Sequence, residues 1–273
     1  MMKKKVILIT GASSGIGYDS AIYLAKQGHK VYAGARRLSK MEGLKKYGIT
    51  PLSLDVTDEE SINMAVETII EKENRIDVLV NNAGYGSYGA IEDVPMEEAK
   101  RQFEVNVFGL VTLTKKVLPI MRKQHSGRII NTSSMGGRLV SFMGGWYHAT
   151  KYSVEALSDA LRMETKQFGI DVVLIEPGGI KTDWGIIAAE HLEESSKGGA
   201  YEAIAKKTAK GMKKQYSSNM LSNPKVISKA ISKAVNKRKP RARYLVGLMA
   251  KPLVFIHTIL PTRGFDFIMK HAS

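Results

Sequence analysis

Tyr147 and Lys151 stand four residues apart in "WYHATKYS", a spacing that sets both on one face of a helix. A phenol with a pKa near 10 gives up its proton too reluctantly to serve as an acid/base at neutral pH. A neighbouring ammonium favours the phenolate and is expected to lower that value. The spacing alone is weak, because a chain with 11 tyrosines and this many lysines holds about one such pair by chance. Position adds the weight. The stretch "NTSSMGG" precedes the helix and reads as a strand end that delivers Ser133 and Ser134 to the carboxyl edge of a sheet, where ligands bind in open α/β folds. A hydroxyl there can hold a substrate oxygen against charge that develops on it.

A second constellation lies in "KKVILITGASSGIGYDSAIYLAKQG". An apolar run breaks into three glycines and leads straight into a helix, so backbone N–H groups point beyond the strand's carboxyl end at an anion. Gly11 permits the tight turn, Gly15 lets the backbone approach a pyrophosphate, and Gly17 lets the helix pack closely. The end of the second strand selects the dinucleotide: an acid there would bind a ribose 2′-hydroxyl, and arginine a 2′-phosphate. After "KVYAGA" come Arg36 and Arg37 with no carboxylate. Guanidinium forks suit a phosphate dianion, and the expected cofactor is NADP(H), with Arg36 the first candidate.

These groups need a scaffold that brings several strand ends together. Seven short β-branched runs recur: "KKVILIT", "KVYAGA", "ITPLSLD", "IDVLVNN", "GRIINTSS", "IDVVLIEP" and "RYLVG". Each is apolar on both faces, as in a parallel sheet covered by helices. Between them lie stretches with 3.6-residue periodicity, including "ESINMAVETIIEKE" and "SVEALSDALRMETKQFG". The alternation predicts an α/β fold, a doubly wound Rossmann-type parallel sheet of about seven strands with helices on both faces. Asp58 is placed to cap one helix, and Gly28 and Gly169 to end two others. With no repeat and no low-complexity linker, residues 1–273 read as one domain. Within it, 181–223 is polar and reads as a mobile excursion or substrate lid, and 250–273 as a tail of two short helices.

Taken together, the motifs resemble the short-chain dehydrogenase/reductase family, and the "RYLVG" strand with the amphipathic tail is similar to its hydroxysteroid and retinol dehydrogenase-like members. "TGASSGIG" is similar to the family's glycine motif, "NNAG" to its fourth-strand motif and "YHATK" to its Tyr-x-x-x-Lys. The resemblance implies a catalytic tetrad of Asn106, Ser134, Tyr147 and Lys151. The serine lies 13 residues before the tyrosine, which selects Ser134 over Ser133. It also implies cofactor contacts at Ser13, Ser14 and Ile16 beside the three glycines, at Asp55 and Val56 around the adenine, and at Asn82, Ala83 and Gly84. Pro177, Gly178, Ile180 and Thr182 match the segment that touches the nicotinamide amide, and Lys151 reaches its ribose. Asn106 would hold a water-linked proton relay to the lysine. The implied activity interconverts a carbonyl and an alcohol; a non-catalytic NADP(H)-binding sensor or scaffold is the alternative. A homodimer or homotetramer is the implied assembly.

Composition narrows the rest. The chain has 273 residues and 44% apolar content, enough for a sizeable core. The first apolar run is too short for a secretory signal, and the longest later stretch, Tyr244 to Leu260, is broken by Lys251, Pro252 and His257. Zero cysteines exclude disulfides and thiolate metal sites and fit a cytoplasmic location. The six histidines show no metal-ligand spacing, and no metal is expected. Net charge is +15, and residues 197–243 hold 14 basic residues against one acid, Glu202. That density fits a solvated helical surface or a peripheral membrane contact; without aromatic interleaving or a nucleic-acid motif, no nucleic acid is expected. Phe142, Met143, Trp146 and Trp184 are candidates to line an apolar pocket, which implies a small hydrophobic carbonyl or alcohol as substrate.

Overall fold

The computed structural model describes residues 3–271. Seven strands form one sheet: β1 (Val6–Thr10), β2 (Lys30–Ala35), β3 (Thr50–Ser53), β4 (Val78–Asn81), β5 (Gly127–Thr132), β6 (Ile170–Pro177) and β7 (Arg243–Val246). Their order is β3-β2-β1-β4-β5-β6-β7, and every pairing is parallel. The order reverses between β1 and β4, where Ile7 pairs with Val31 on one side and Val78 on the other. That switch point opens a crevice at the strands' carboxyl ends.

Alternation along each strand divides the core in two. Ile7 and Ile9 pack with Val31, Val78, Ile130 and Val173 under helices α1 (Gly15–Ala25) and, further along the chain, 225–236. Val6 and Leu8 face the other way, onto α2 (Glu59–Glu73) and the helix at 109–123. Burial on both faces explains why these runs are continuously apolar. Helix ends follow local chemistry: Asp58 accepts hydrogen bonds from the N–H groups of Glu60 and Ser61 at 2.9 and 3.3 Å, and Gly28 and Gly169 turn left-handed at φ +86° and +71°.

α3 (Met96–Phe103) and α4 (Gly109–Lys123) are joined by a π-helical turn, Glu104–Phe108, a distortion common at functional sites. α5 (Gly145–Thr165) carries the Tyr-x-x-x-Lys pair. The polar stretch after β6 is not irregular: it forms α6 (Trp184–Ser195) and α7 (Glu202–Ser217). Ala188, Ala189 and Leu192 pack against Ala205 and Ala209, and small residues let the two helices meet closely while their charged faces dominate the composition. α8 (Lys225–Asn236) buries Ile227, Ala230, Ile231, Ala234 and Val235 and exposes Lys225, Lys229 and Lys233, so part of the basic stretch is a solvated helical face. The tail forms α9 (Ala250–Ile259) and α10 (Thr262–His271). Among the described residues no helix is long and apolar enough to cross a membrane.

One close approach holds α1 against the sheet: a Cβ on Gly17 would lie 2.4 Å from the Gly11 carbonyl oxygen. Gly211, in α7, has open space around it. Gly17→Ala is therefore expected to destabilise the protein by roughly 1–3 kcal/mol through overpacking. Gly211→Ala is expected to stabilise it by about 0.5–1 kcal/mol through helix propensity. Urea-unfolding midpoints check the pair, and equal stabilities for the two variants would contradict this packing.

Candidate active site

The glycine turn and the fourth-strand motif are built as one unit. The Thr10 hydroxyl accepts hydrogen bonds from the N–H groups of Asn82 and Ala83 at 3.0 and 2.9 Å, and the Asn82 amide donates to the Thr10 and Gly11 carbonyls. Gly11 sits at φ +66°, a left-handed conformation that glycine adopts without strain. Ser14 precedes α1 in an extended conformation and its side chain caps nothing. The first N–H groups of α1 are thus left for a ligand.

From that turn a cleft of about 1050 Å³ runs along the sheet edge. Gly11, Ser13, Ser14, Gly15 and Ile16 line it at the helix start. Arg36 and Arg37, both exposed, lie at one end with Asp55 and Val56. Asn82, Ala83 and Gly84 lie in its floor, and Pro177, Gly178, Ile180 and Thr182 across from the glycine turn. Ser134, Tyr147 and Lys151 stand at the other end. Gly17 and Asn106 do not reach the lining; both are buried behind it. A volume slightly above the ~300–1000 Å³ usual for ligand sites, an uncapped helix terminus at the middle and two cations at one end suit an extended anionic ligand.

Asn106 lies in the π-helical turn, 1% exposed. Its carboxamide accepts from the Tyr85 N–H at 3.0 Å and donates to the Tyr85 carbonyl at 2.8 Å and the Thr150 hydroxyl at 3.2 Å. A Cβ on Gly84 would lie 2.9 Å from the Asn106 amide oxygen and 3.8 Å from the Lys151 ammonium. Only a glycine there lets these two groups share one small space. Lys151 donates to the Thr132 carbonyl at 2.9 Å. Ser134 accepts from the Gly136 N–H at 3.0 Å, which orients its hydroxyl at the end of β5.

Tyr147 is enclosed by aromatic rings, with Trp184 at 4.9 Å, His148 at 5.5 Å and Tyr88 at 5.9 Å between centroids. Burial pushes its phenol pKa well up, Tyr88 adds to the rise, and the Ser134 hydroxyl opposes it. Burial also lowers the Lys151 ammonium to about 8, against the pull of Glu155. This corrects the expectation that the lysine draws the phenol down. The ammonium lies 5.9 Å from the Tyr147 ring centroid, its proton is given to a carbonyl, and desolvation drives both groups toward their neutral forms.

The apolar walls also differ from expectation. Trp184 lines the cleft, but Phe142, Met143 and Trp146 do not; the lining is completed by Tyr88, Leu139, Tyr216, Leu253 and Met269. The backbone turns left-handed at Met143, φ +58°, and Phe142 and Met143 pack into the wall behind. His148 reaches the cleft, yet its ring is held by the Gly136 carbonyl at 2.8 Å and the Ser141 hydroxyl at 2.8 Å, a structural brace. Sequence reasoning missed a polar cluster on the opposite lip. There the Tyr85 hydroxyl donates to Glu98 at 3.0 Å, and His191 meets Ser87 at 3.2 Å. In the sequence, Glu98 and His191 look like ordinary solvated helix positions; their meeting depends on how α3 and α6 face each other.

A family model described as short chain dehydrogenase matches residues 5–191. The chain is 37% identical over 265 residues to the "Probable short-chain type dehydrogenase/reductase VdlC" of Helicobacter pylori, covering 96% of each. It is 39% identical over 238 residues to a 3-ketodihydrosphingosine reductase of Bacteroides thetaiotaomicron, covering 87% of this chain and 81% of that one. Among solved structures, a short-chain dehydrogenase from Streptomyces avermitilis superposes with a TM-score of 0.81 at 33% identity, over 94% of this chain and 93% of that one. A serine dehydrogenase complexed with NADP+ gives 0.77 at 26% identity, over 89% and 94%. A 3-ketoacyl-(acyl-carrier-protein) reductase from Brucella melitensis complexed with NADH gives 0.72 at 27% identity, over 89% and 93%.

Beneath Lys151 lies a charge cluster built around two buried carboxylates, Glu155 and Glu176. Glu155, one helical turn on, is 6% exposed and accepts from Arg243 at 3.2 and 3.3 Å. Arg243 also pairs with Asp159 at 2.6 Å and with Glu176 at 3.2 Å, and Arg138 reaches Glu176 at 3.4 Å. Asp159 also pairs with Arg162 at 2.6 Å, so three carboxylates face three guanidinium groups beside the Lys151 ammonium. Burial pushes the Glu155 carboxyl up, opposed by the Ser133 hydroxyl, and Glu176 adds to the rise while Arg243 lowers it. A carboxyl raised in this way stabilises the fold fully at acid pH, and that contribution is lost as pH rises through its folded value. Relative to Glu155→Gln, the unmodified protein is therefore expected to lose on the order of 1–3 kcal/mol of stability between about pH 5 and pH 8. Urea unfolding at both pH values measures it, and parallel pH dependence in the two proteins would contradict the assignment.

Proposed function

The chain belongs to the short-chain dehydrogenase/reductase family, and on that premise we propose that it interconverts a carbonyl and an alcohol on a hydrophobic small molecule with NADP(H). One observation carries the reading: Ser134, Tyr147 and Lys151 line the same cleft as an uncapped helix start and two exposed arginines.

The N–H groups of the turn from Gly11 to Gly17 bind the pyrophosphate, and Arg36 with Arg37 holds the 2′-phosphate. Asp55 and Val56 flank the adenine; Asn82, Ala83 and Gly84 support the sugar, with Lys151 bonding its hydroxyls. Pro177, Gly178, Ile180 and Thr182 hold the nicotinamide amide. When bound, the reduced cofactor supplies hydride to a carbonyl carbon. Tyr147 donates its phenolic proton to the carbonyl oxygen, and Ser134 donates a hydrogen bond to that same oxygen, opposing the charge that develops. A phenol whose pKa is pushed up by burial keeps its proton at neutral pH but releases it less readily, so proton transfer depends on stabilising the phenolate as it forms. Lys151, charged below about 8, stabilises the phenolate left behind, and Asn106 supports the water-linked return of a proton. Tyr88, Trp184, Tyr216, Leu253 and Met269 exclude water and receive the apolar part of the substrate. The apolar lining and the name of the Bacteroides relative, a 3-ketodihydrosphingosine reductase, both favour a lipophilic ketone.

Tyr147→Phe is expected to lower kcat for NADPH-driven ketone reduction roughly 10²–10⁴-fold while NADPH binding persists. Wild-type turnover by this variant would end the assignment of the acid. Arg36→Asp is expected to shift the kcat/KM ratio toward NADH by about tenfold or more, the scale of a lost charge-assisted hydrogen bond. An unchanged ratio would remove the phosphate-fork argument.

A further inference from the structure

The two C-terminal helices face both ways. On the inner side Val254 and Phe265 are buried against Leu139, and Leu253 and Met269 reach the cleft wall. On the outer side Lys251, Phe255 and Ile259 repeat every four residues along α9 and are all exposed, Phe255 by 64% and Ile259 by 59%. Pro252 and Pro261 are exposed beside them. Large apolar side chains held in water beside a binding cleft mark a contact surface.

The charges around this patch select the occupant. Lys251, Arg263 and Lys270 are exposed on the hairpin against a single acid, Asp266. A second copy of the chain would bring like charges together across a two-fold interface, which is unfavourable. An acidic lipid surface accepts both parts: apolar tips enter the headgroup boundary and cations meet its negative potential.

We propose that the α9–α10 hairpin seats the protein on an anionic lipid surface through Phe255 and Ile259, with Lys251, Arg263 and Lys270 against the headgroups. The cleft then opens past Leu253 and Met269 toward the lipid, and a lipophilic ketone enters from that side; this last clause rests on the function proposed above, whereas the docking does not. The seating is peripheral and reversible, since two apolar anchors and a few cations give salt-sensitive attachment.

Co-sedimentation of the full chain with vesicles tests it, comparing phosphatidylcholine alone with a mixture containing phosphatidylglycerol at low and high salt. The expected result is binding to the anionic vesicles, weakened by salt, and at least about tenfold weaker for the double variant Phe255→Ser/Ile259→Ser. Both positions are exposed, so the variant should keep the parent's melting temperature and its turnover of a water-soluble ketone. No sedimentation at low salt, or equal sedimentation of parent and variant, overturns the proposal. So does a parent that is a dimer in light scattering and a variant that is a monomer, which would assign the patch to self-association. Vesicle binding without any NADPH-dependent turnover would instead sink the enzymatic reading and leave the docking intact.

Discussion

Seven strands running in one direction are the constraint on which everything else depends. Because all pairings are parallel, the ends of β1, β4, β5 and β6 deliver their following loops to one edge. The glycine turn, the "NNAG" loop, Ser134 and the "PGG" segment meet there although they are far apart in the chain. The edge is then locked by polar groups rather than by packing: Thr10 ties two loops together through one hydroxyl. Asn81 bonds Thr114 and Asn131 at 3.0 and 2.9 Å, and Asn131 bonds Ser158 at 2.9 Å. The donors of this network are paired, whereas the Asn81 amide oxygen and the neighbouring Thr132 hydroxyl are buried without a partner, so the strand ends are tied by a partly satisfied polar network.

At one end of that edge, chemistry is set by exclusion of water. The phenol of Tyr147 and the ammonium of Lys151 are both buried, and each is pushed toward its neutral form. The cost of keeping an ammonium there is offset in part by the Glu155 carboxylate one turn below it, which Arg243 holds in place.

Much of this was legible in the sequence, and the reasons are physical. Central strands buried on both faces write a continuous apolar run, and the partly buried edge strands β3 and β7 still carry short apolar runs between turn signals, so all seven could be read from the pattern. A glycine turn after a strand and a Tyr-x-x-x-Lys on a helix carry their geometry in their spacing. What depended on the relative facing of distant helices could not be read. Phe142 and Met143 looked like pocket residues, but a left-handed turn at Met143 sends them into the wall. The apolar stripe joining α6 to α7 consists mostly of alanines with Leu192, which a charged surrounding hides. The direction of the phenol shift was misjudged because the pair's burial, unlike its spacing, is a property of the folded chain.

The most direct measurement is a crystal structure of the protein with NADP+ and an unreactive alcohol. The account predicts the alcohol oxygen within about 3 Å of both the Tyr147 and Ser134 hydroxyls, with the Lys151 ammonium on the sugar next to the nicotinamide. An alcohol oxygen bound elsewhere in the cleft, out of reach of Tyr147, would contradict it.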